Sequence, residues 1–209
     1  IGGGAAGLFC AGVAGQLGKN VLVLDHAPVL GEKIRISGGG RCNFTNVHSS
    51  PANFLSLNPN FVKSALARYP SKEFIKLVQS YRIAYHEKHQ GQLFCDDSAK
   101  QIIEMLLGEC AKGRVDIRHP VKVESISNED GVWVVNTNAG TERSKSIVMA
   151  TGGLPVPAIG ATAYSLDIAK QFGLKVVDPR PALVPLSFTS GEFDNLIELS
   201  GLSLPVRIA

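Results

Sequence analysis

Apolar residues fall into short runs that predict alternating helices and buried strands. Residues 5–17 are rich in Ala and Leu and stop at Gly18, which predicts a helix closed by a C-terminal glycine. Residues 21–25 are apolar up to a final Asp, as in a parallel strand buried on both faces. Residues 26–59 lack a clean period, and a loop of that length is typical of a binding segment.

The rest of the pattern predicts more helices around a β-rich middle. A return to an apolar run after several β segments favours an α/β nucleotide-binding domain with an inserted β-meander. The predicted helices are 60–69, 72–81, 98–112 and 163–172, and the predicted strands are a hairpin over 85–95, then 115–118, 121–126, 132–137, 146–150 and 174–177.

Composition narrows the class of protein. With 44% hydrophobic and 19% charged residues, the 209-residue chain has material for one large domain, or one domain and the start of another. Lys plus Arg is 21 against 18 for Asp plus Glu, and we read the excess as scattered, which predicts no nucleic-acid partner. No run of eighteen apolar residues occurs, which predicts no membrane partner. Four cysteines without a CxxC pair indicate reduced thiols and a cytoplasmic protein.

Residues 2–7, Gly-Gly-Gly-Ala-Ala-Gly, match the G-x-G-x-x-G spacing of dinucleotide-binding loops. The glycines allow a tight turn, close approach of a diphosphate and close helix–strand packing, with the anion at the helix N-terminus. Asp25 ends the next strand, where its carboxylate can accept from both ribose hydroxyls, and its charge disfavours a 2′-phosphate. His26 is expected near the adenosine. A plain glycine turn followed by a surface aspartate is the alternative interpretation.

A second glycine-rich segment spans 37–46, Ser-Gly-Gly-Gly-Arg-Cys-Asn-Phe-Thr-Asn. Consecutive glycines expose backbone N–H groups that can bind an anion, and the Arg41 guanidinium can donate two hydrogen bonds to a phosphate. The polar residues that follow supply donors and acceptors for the polar edge of a ring. A flexible surface loop is the alternative. Residues 151–153, Thr-Gly-Gly, follow a predicted strand, at the kind of edge where α/β sheets bind ligands.

Together these motifs resemble the BaiN/YhiN-like bacterial flavoproteins, which are NAD(P)/FAD-dependent or aminoacetone-oxidase-like oxidoreductases. The similarity runs over 1–7, 33–34, 36–46, 85–88, 91–96, 150–154 and 182–185, and the segment around 37–46 is its most specific part. The resemblance implies a Rossmann-like FAD-binding domain of the two-dinucleotide-binding-domain type, with an inserted β-meander and the start of a second, β-rich domain.

The resemblance implies a domain division and a set of cofactor contacts. The FAD domain would occupy residues 1–184, incomplete at both ends, and an inserted substrate domain would begin over 185–209. The glycine loop would hold the pyrophosphate, Lys33 and residues 37–46 would line the flavin and ribitol, and Val121 would meet the adenine through its backbone. The expected cofactor contacts are Gly2, Gly4, Ala5, Ala6, Gly7, Asp25, His26, Lys33, Ser37, Gly38, Gly39, Gly40, Arg41, Cys42, Asn43, Thr45, Asn46, Val121, Thr151 and Gly152.

The leading hypothesis is therefore an FAD-dependent oxidoreductase that passes electrons between a small-molecule substrate or NAD(P)H and an acceptor. An NAD-dependent dehydrogenase is an alternative that leaves the second glycine-rich segment unexplained. A non-enzymatic flavin-binding or RNA-associated module is another, which the balanced charge disfavours. The catalytic residues and the oligomeric state are left open.

Two candidates for reactive chemistry are predicted to have neither a metal-binding nor a catalytic role. His86, His89 and Cys95 are expected on a hairpin and are not predicted to bind a metal. Cys42 follows a turn like that of flavin disulfide reductases, but the position of the second cysteine is Val47. We predict that Cys42 packs beside the flavin, and a reactive thiolate with a lowered pKa is the alternative.

Overall fold

The computed structural model of the chain describes residues 1–181. Two compact units divide the chain, Ile1–Lys175 and Val176–Ala209. The first unit carries every helix and strand named below, and residues 176–181 of the second have none. The predicted boundary at 184/185 and the predicted β-rich second domain lie outside the described residues.

Fourteen helices and strands order the first unit, with short 3₁₀ turns between them. They are α1 (Ala5–Gln16), β1 (Leu22–Leu24), α2 (Glu32–Ile36), β2 (Asn43–Asn46), α3 (Lys63–Arg68), α4 (Ser71–Ser80), β3 (Tyr85–Glu87), β4 (Gln92–Cys95), α5 (Lys100–Lys112), β5 (Asp116–Arg118), β6 (Val123–Glu129), β7 (Val132–Thr137), β8 (Gly140–Ser144) and α6 (Tyr164–Gln171).

The nucleotide-binding core is built from β1, β5 and the two helices packed beside them. β1 pairs with β5 in parallel, Leu22 opposite Asp116. Helices α1 and α5 lie close because small residues face each other, and a Cβ at Gly15 would come within 2.5 Å of the Gly113 carbonyl oxygen. Leu8 and Met105 are fully buried in the main core. Burial of that apolar area stabilises the unit and fixes the N-terminus of α1 over the end of β1.

The meander differs from its prediction in which strands form it. β6, β7 and β8 make an antiparallel sheet, whereas β5, expected as its first strand, pairs with β1 instead. The third meander strand, 140–144, was not predicted because its residues are almost all polar. β8 is an edge strand whose side chains are mostly exposed, so the pattern carries no hydrophobic alternation there.

Two other predicted strands are wrong. Residues 146–150 have no assigned strand and are half-buried or exposed, with Val148 52% exposed. Their described pairing consists of two backbone bonds to Ile1, from the Ile1 amine to the Val148 carbonyl and from the Ala150 N–H to the Ile1 carbonyl. Residues 174–177 likewise lack a strand. Short apolar runs without a full pairing ladder do not form strands in isolation.

The segment 26–59 is more structured than a loop. It contains α2 and β2, and β2 joins β4 and β3 in a three-stranded antiparallel sheet of order β2-β4-β3. The predicted hairpin over 85–95 is confirmed, with Gln90 and Gly91 at positive φ in its turn. Within residues 1–181 no helix has the length and apolar character needed to cross a bilayer.

Candidate functional site

A cavity of about 600 Å³ opens where the N-terminus of α1 faces the carboxyl end of β1. Ligands of open α/β sheets bind at this edge because the helix N-terminus and the loops after the strands converge there. Ten of the predicted contacts lie in its wall, namely Gly2, Gly4, Ala5, Ala6, Asp25, His26, Lys33, Val121, Thr151 and Gly152.

The glycine loop is held against the strand by contacts that leave no room for side chains. The Gly2 N–H donates to the Leu24 carbonyl at 2.8 Å, and φ at Gly2 is +106°. A Cβ at Gly7 would lie 1.8 Å from the Gly2 carbonyl oxygen. Gly7 therefore serves helix–loop packing and does not line the cavity. Gly4, in contrast, has no atom within 4 Å of a built Cβ and faces open space.

The Asp25 carboxylate fastens this loop to β1. Its Oδ2 accepts from the Gly3 N–H at 2.5 Å, and its Oδ1 accepts from the Ala27 N–H at 2.7 Å. Its side chain is 13% exposed and lines the cavity. Each carboxylate oxygen can accept more than one hydrogen bond, so both ribose hydroxyls still have an acceptor here.

The residues at this cavity fit the adenosine diphosphate part of FAD. Gly4 caps α1 without a side-chain hydrogen bond, and the first turn of α1 carries no acid, so its N–H groups are available to an anion. Tyr164 adds a hydroxyl that is buried without a hydrogen-bond partner in the described part of the chain. An unsatisfied buried hydroxyl costs about 1–3 kcal/mol. Burial also raises the pKa of Tyr164, so the hydroxyl stays a donor.

Part of the wall of the first cavity comes from residues that the sequence did not single out. The stretch 159–162 joins the wall, and Gly160 packs so closely on His26 that a Cβ there would lie 2.8 Å from the ring Nε2. The Lys33 ammonium donates to the Gly153 carbonyl at 3.1 Å and so links α2 to the 151–153 turn. No local pattern marks 159–162 or Tyr164, because only the chain fold brings them to the glycine loop.

A second cavity of about 580 Å³ adjoins the first. The two share Ala5, Ala6, Lys33 and Ile34 in their walls. Predicted residues found here are Ser37, Cys42, Asn43 and Thr45, and the rest of the wall includes five aromatic residues, Phe9, Phe44, Phe54, Tyr69 and Phe74. These aromatic residues come from five separate elements or loops, so no sequence motif could group them.

The three glycines at 38–40 line neither cavity. Gly38, Gly39 and Gly40 all have positive φ, and a Cβ on Gly38 would lie 2.6 Å from the Phe94 ring. The Gly40 carbonyl accepts from the Ala99 N–H at 2.7 Å. Here the glycines let the chain turn tightly against β4 and α5, and their predicted contact with a cofactor stays a prediction.

The side chains of Arg41 and Asn46 also form hydrogen bonds to other residues of this chain. The Arg41 guanidinium donates to the Asp96 carbonyl. The Asn46 amide donates to the Gln90 carbonyl at 2.8 Å, and its oxygen accepts from the His48 N–H at 2.8 Å. In this arrangement both side chains brace the loop on the β3–β4 hairpin, and neither lines the two cavities.

Cys42 is buried, 5% exposed, at the edge of the second cavity. Burial raises the pKa of its thiol, against the lowered pKa that a nucleophile requires. Cys95 is also fully buried, and burial raises its pKa to about 11. Both thiols are therefore protonated at neutral pH, which favours the packing role.

Cys42→Ser is accordingly expected to keep bound FAD and most turnover in the complete protein. In the unmodified protein, iodoacetamide should alkylate exposed Cys10 well before Cys42, and Cys42 only as the pH rises far enough to form its thiolate. Mass spectrometry of the alkylated peptides and rapid-mixing reduction of the flavin measure the two effects. Loss of flavin reduction with FAD still bound would show that Cys42 carries chemistry.

Comparison with known proteins gives consistent matches over the whole chain. The model of the family described as HI0933-like protein Rossmann domain matches residues 1–199. The ribosomal RNA dihydrouridine synthase of Haemophilus influenzae is 52% identical over all of this chain and 53% of its own length. That of Escherichia coli K12 is 47% identical over 98% of this chain and 51% of its own length. The chain thus spans about half the length of the curated relatives it matches.

More distant matches agree on the fold. The 3-dehydro-bile acid delta(4,6)-reductase of Clostridium scindens is 25% identical over 92% of this chain and 48% of its own length. The crystal structure of glycine oxidase from Bacillus cereus superposes with a TM-score of 0.51 at 15% identity, covering 76% of this chain and 57% of the oxidase. The predicted fold class, a Rossmann-like FAD-binding domain, is confirmed.

Proposed function

The chain belongs to the HI0933-like Rossmann family, and from this premise we propose that it is the FAD-binding part of an oxidoreductase that reduces uridine to dihydrouridine in ribosomal RNA. The resemblance to BaiN/YhiN-like flavoproteins is confirmed by the same matches. The prediction of no nucleic-acid partner conflicts with the names of the two nearer relatives.

Two adjoining cavities of different chemistry are the observation that supports the flavin part of the proposal, and the names of the two nearer relatives supply the ribosomal RNA substrate. The first has uncapped helix N–H groups and a carboxylate, which suit a dinucleotide. The second is lined mainly by apolar and aromatic side chains, which suit a planar ring. Because both include Ala5 and Lys33, a cofactor held in the first would reach the wall of the second.

The chemistry implied is the reduction of a carbon–carbon double bond. Dihydrouridine differs from uridine by two hydrogens across C5–C6, added as a hydride and a proton. FAD, when bound, supplies the two-electron carrier for such a transfer. We propose NADH or NADPH as the electron donor, which balances the reaction as one hydride and one solvent proton per uridine.

In this proposal, residues of this chain bind and orient the cofactor. The N–H groups of the first turn of α1 would hold the diphosphate, and Asp25 would accept from the ribose hydroxyls. Aromatic walls around Phe44 and Phe74 would exclude water from the reacting ring. Cys42 Sγ keeps its proton at neutral pH, so it presents an uncharged surface to the second cavity.

The complete protein is expected to be yellow and to release FAD on denaturation. Incubated with NADH or NADPH and ribosomal RNA transcribed without modifications, it should produce dihydrouridine, measured by mass spectrometry of nucleosides. A protein that retains FAD yet forms no dihydrouridine with either donor would contradict the RNA substrate. A colourless protein that binds NADH would instead favour the dehydrogenase alternative.

A further inference from the structure

Positive charge is concentrated in one part of the sequence, although the total is nearly balanced. Residues 33–72 contain six Lys and Arg and no Asp or Glu. The whole chain has a net charge of +3, so the other 169 residues sum to −3. A forty-residue stretch without an acid is therefore a local basic region within a mildly acidic remainder.

Half of these cations are already engaged by protein groups. Lys33 donates to the Gly153 carbonyl, Arg35 pairs with Glu32, and Arg41 donates to the Asp96 carbonyl. The other three are Lys63 and Arg68 on α3 and Lys72 in the first turn of α4. All three are exposed, and none makes an ion pair with any residue of the described stretch 1–181.

These three cations lie beside the second cavity. Helices α3 and α4 are joined at Tyr69-Pro70, and Leu66, Tyr69, Pro70 and Ser71 line that cavity. Tyr69 is 38% exposed, so its ring is shared between the cavity wall and the solvent. The cations thus occupy the same two helices as part of the cavity wall.

Exposed apolar side chains accompany the charges. Phe61, two residues before α3, is 77% exposed, and Phe54, which lines the cavity, is 46% exposed. Aromatic rings interleaved with unpaired cations are the combination that binds single-stranded nucleic acid, since bases stack on rings and phosphates meet the cations.

We propose that this surface, formed by Phe54, Phe61, Lys63, Arg68, Tyr69 and Lys72 and called here the α3–α4 rim, binds the RNA strand that carries the uridine to be reduced. The inference rests on the proposed function, and it places the extruded uracil on the α3–α4 side of the second cavity, next to the flavin ring that would reach this cavity from the first. An enzyme that reacts with a base must take it out of its stack, and rings at the cavity mouth receive it. The three cations then contact the flanking phosphates.

The test compares two triple variants of the complete FAD-loaded protein that lose the same charge. The rim variant carries Lys63→Gln, Arg68→Gln and Lys72→Gln. The matched control carries substitutions of three other exposed lysines that line neither cavity and make no ion pair among the described residues, Lys19→Gln, Lys145→Gln and Lys170→Gln. Filter binding of unmodified ribosomal RNA transcripts over a range of salt concentrations gives Kd and its salt dependence.

The rim variant is expected to raise Kd about tenfold and to reduce the slope of log K against log salt by about 2–3, because each lost phosphate contact removes roughly one counterion. The control should change Kd less than about twofold, and FAD content should be equal in both. Equal weakening in the two variants would overturn the rim and leave the RNA substrate intact. Wild-type protein that neither binds the transcripts nor forms dihydrouridine would instead overturn the proposed function.

A single substitution tests whether RNA or another part of the complete protein covers the α3–α4 rim. Phe61→Ser is expected to weaken RNA binding severalfold while the thermal midpoint without RNA stays unchanged, since the ring is largely exposed. A lowered midpoint in the absence of RNA would mean that other parts of the complete protein cover Phe61, and would overturn the rim.

Discussion

Asp25→Ala is expected to weaken FAD binding by the complete protein by about one to two orders of magnitude. Hydrogen bonds to a charged carboxylate contribute roughly 1.5–3 kcal/mol, and 1.4 kcal/mol is a factor of ten in affinity. The substitution removes the acceptor for the ribose hydroxyls and also frees the Gly3 and Ala27 N–H groups that the carboxylate holds. The diphosphate loop would then be less well ordered for its ligand.

Fluorescence titration of the apoprotein with FAD measures this effect, and the thermal midpoint of the apoprotein reports on the loop itself. Asp167→Ala on α6 is the matched control, because it removes an exposed carboxylate that does not line either cavity. An unchanged FAD affinity would rule out the ribose contact. If unfolding of the apoprotein fully explains the loss of FAD affinity, Asp25 acts in folding and not in binding the ribose.

Gly7→Ala is expected to lower stability and abolish stoichiometric FAD retention. The new Cβ would lie 1.8 Å from the Gly2 carbonyl oxygen and 3.4 Å from the Ala150 side chain. Backbone atoms must shift to admit it, and overpacking of this kind costs about 1–3 kcal/mol or more. The gain in helix propensity from glycine to alanine, about 1 kcal/mol, does not offset that cost.

Gly4→Ala separates folding from binding in the same loop. Its Cβ would meet no atom within 4 Å and φ is −89°, so only the weaker N-cap preference of alanine acts, and the thermal midpoint should fall much less than in Gly7→Ala. The methyl group would still enter the first cavity, where the diphosphate is proposed to lie, and should weaken FAD binding. Calorimetry and FAD titration of both variants check the pair. Greater destabilisation by Gly4→Ala than by Gly7→Ala would contradict this division of roles.

Much of the first site could be predicted because its signals are local. The G-x-G-x-x-G spacing, the helix that follows it and the strand that leads to Asp25 succeed one another in the sequence, and Asp25 returns to accept from the Gly3 N–H. The steric demand for glycine acts over a few residues, so the pattern of the chain records it directly. Lys33 and Thr151 were tied to the site by family resemblance, and the structure brings both to the first cavity.

The partner of β5 illustrates what pattern alone leaves open. A short alternating segment such as 115–118 suits a meander or a parallel sheet equally, and only the packing of α1 on α5 sets it beside β1. Strand β8 was missed for a related reason, since an exposed edge strand buries little and needs no hydrophobic alternation. The pairing of strands depends on residues that are far apart in the sequence, so the residue types within one strand predict its partner only weakly.

The sequence by itself determined the Rossmann-like class, the glycine loop and its acid, because local sterics and hydrophobic periodicity act between near neighbours. Only the tertiary structure decided that the 38–40 glycines pack on β4, that Tyr164 faces the first cavity, and that separate aromatic residues form a second. The charge of residues 33–72 is visible in the sequence, but its use depends on which cations remain unpaired. That depends on contacts between distant segments, such as Arg41 with Asp96, which the fold alone brings together.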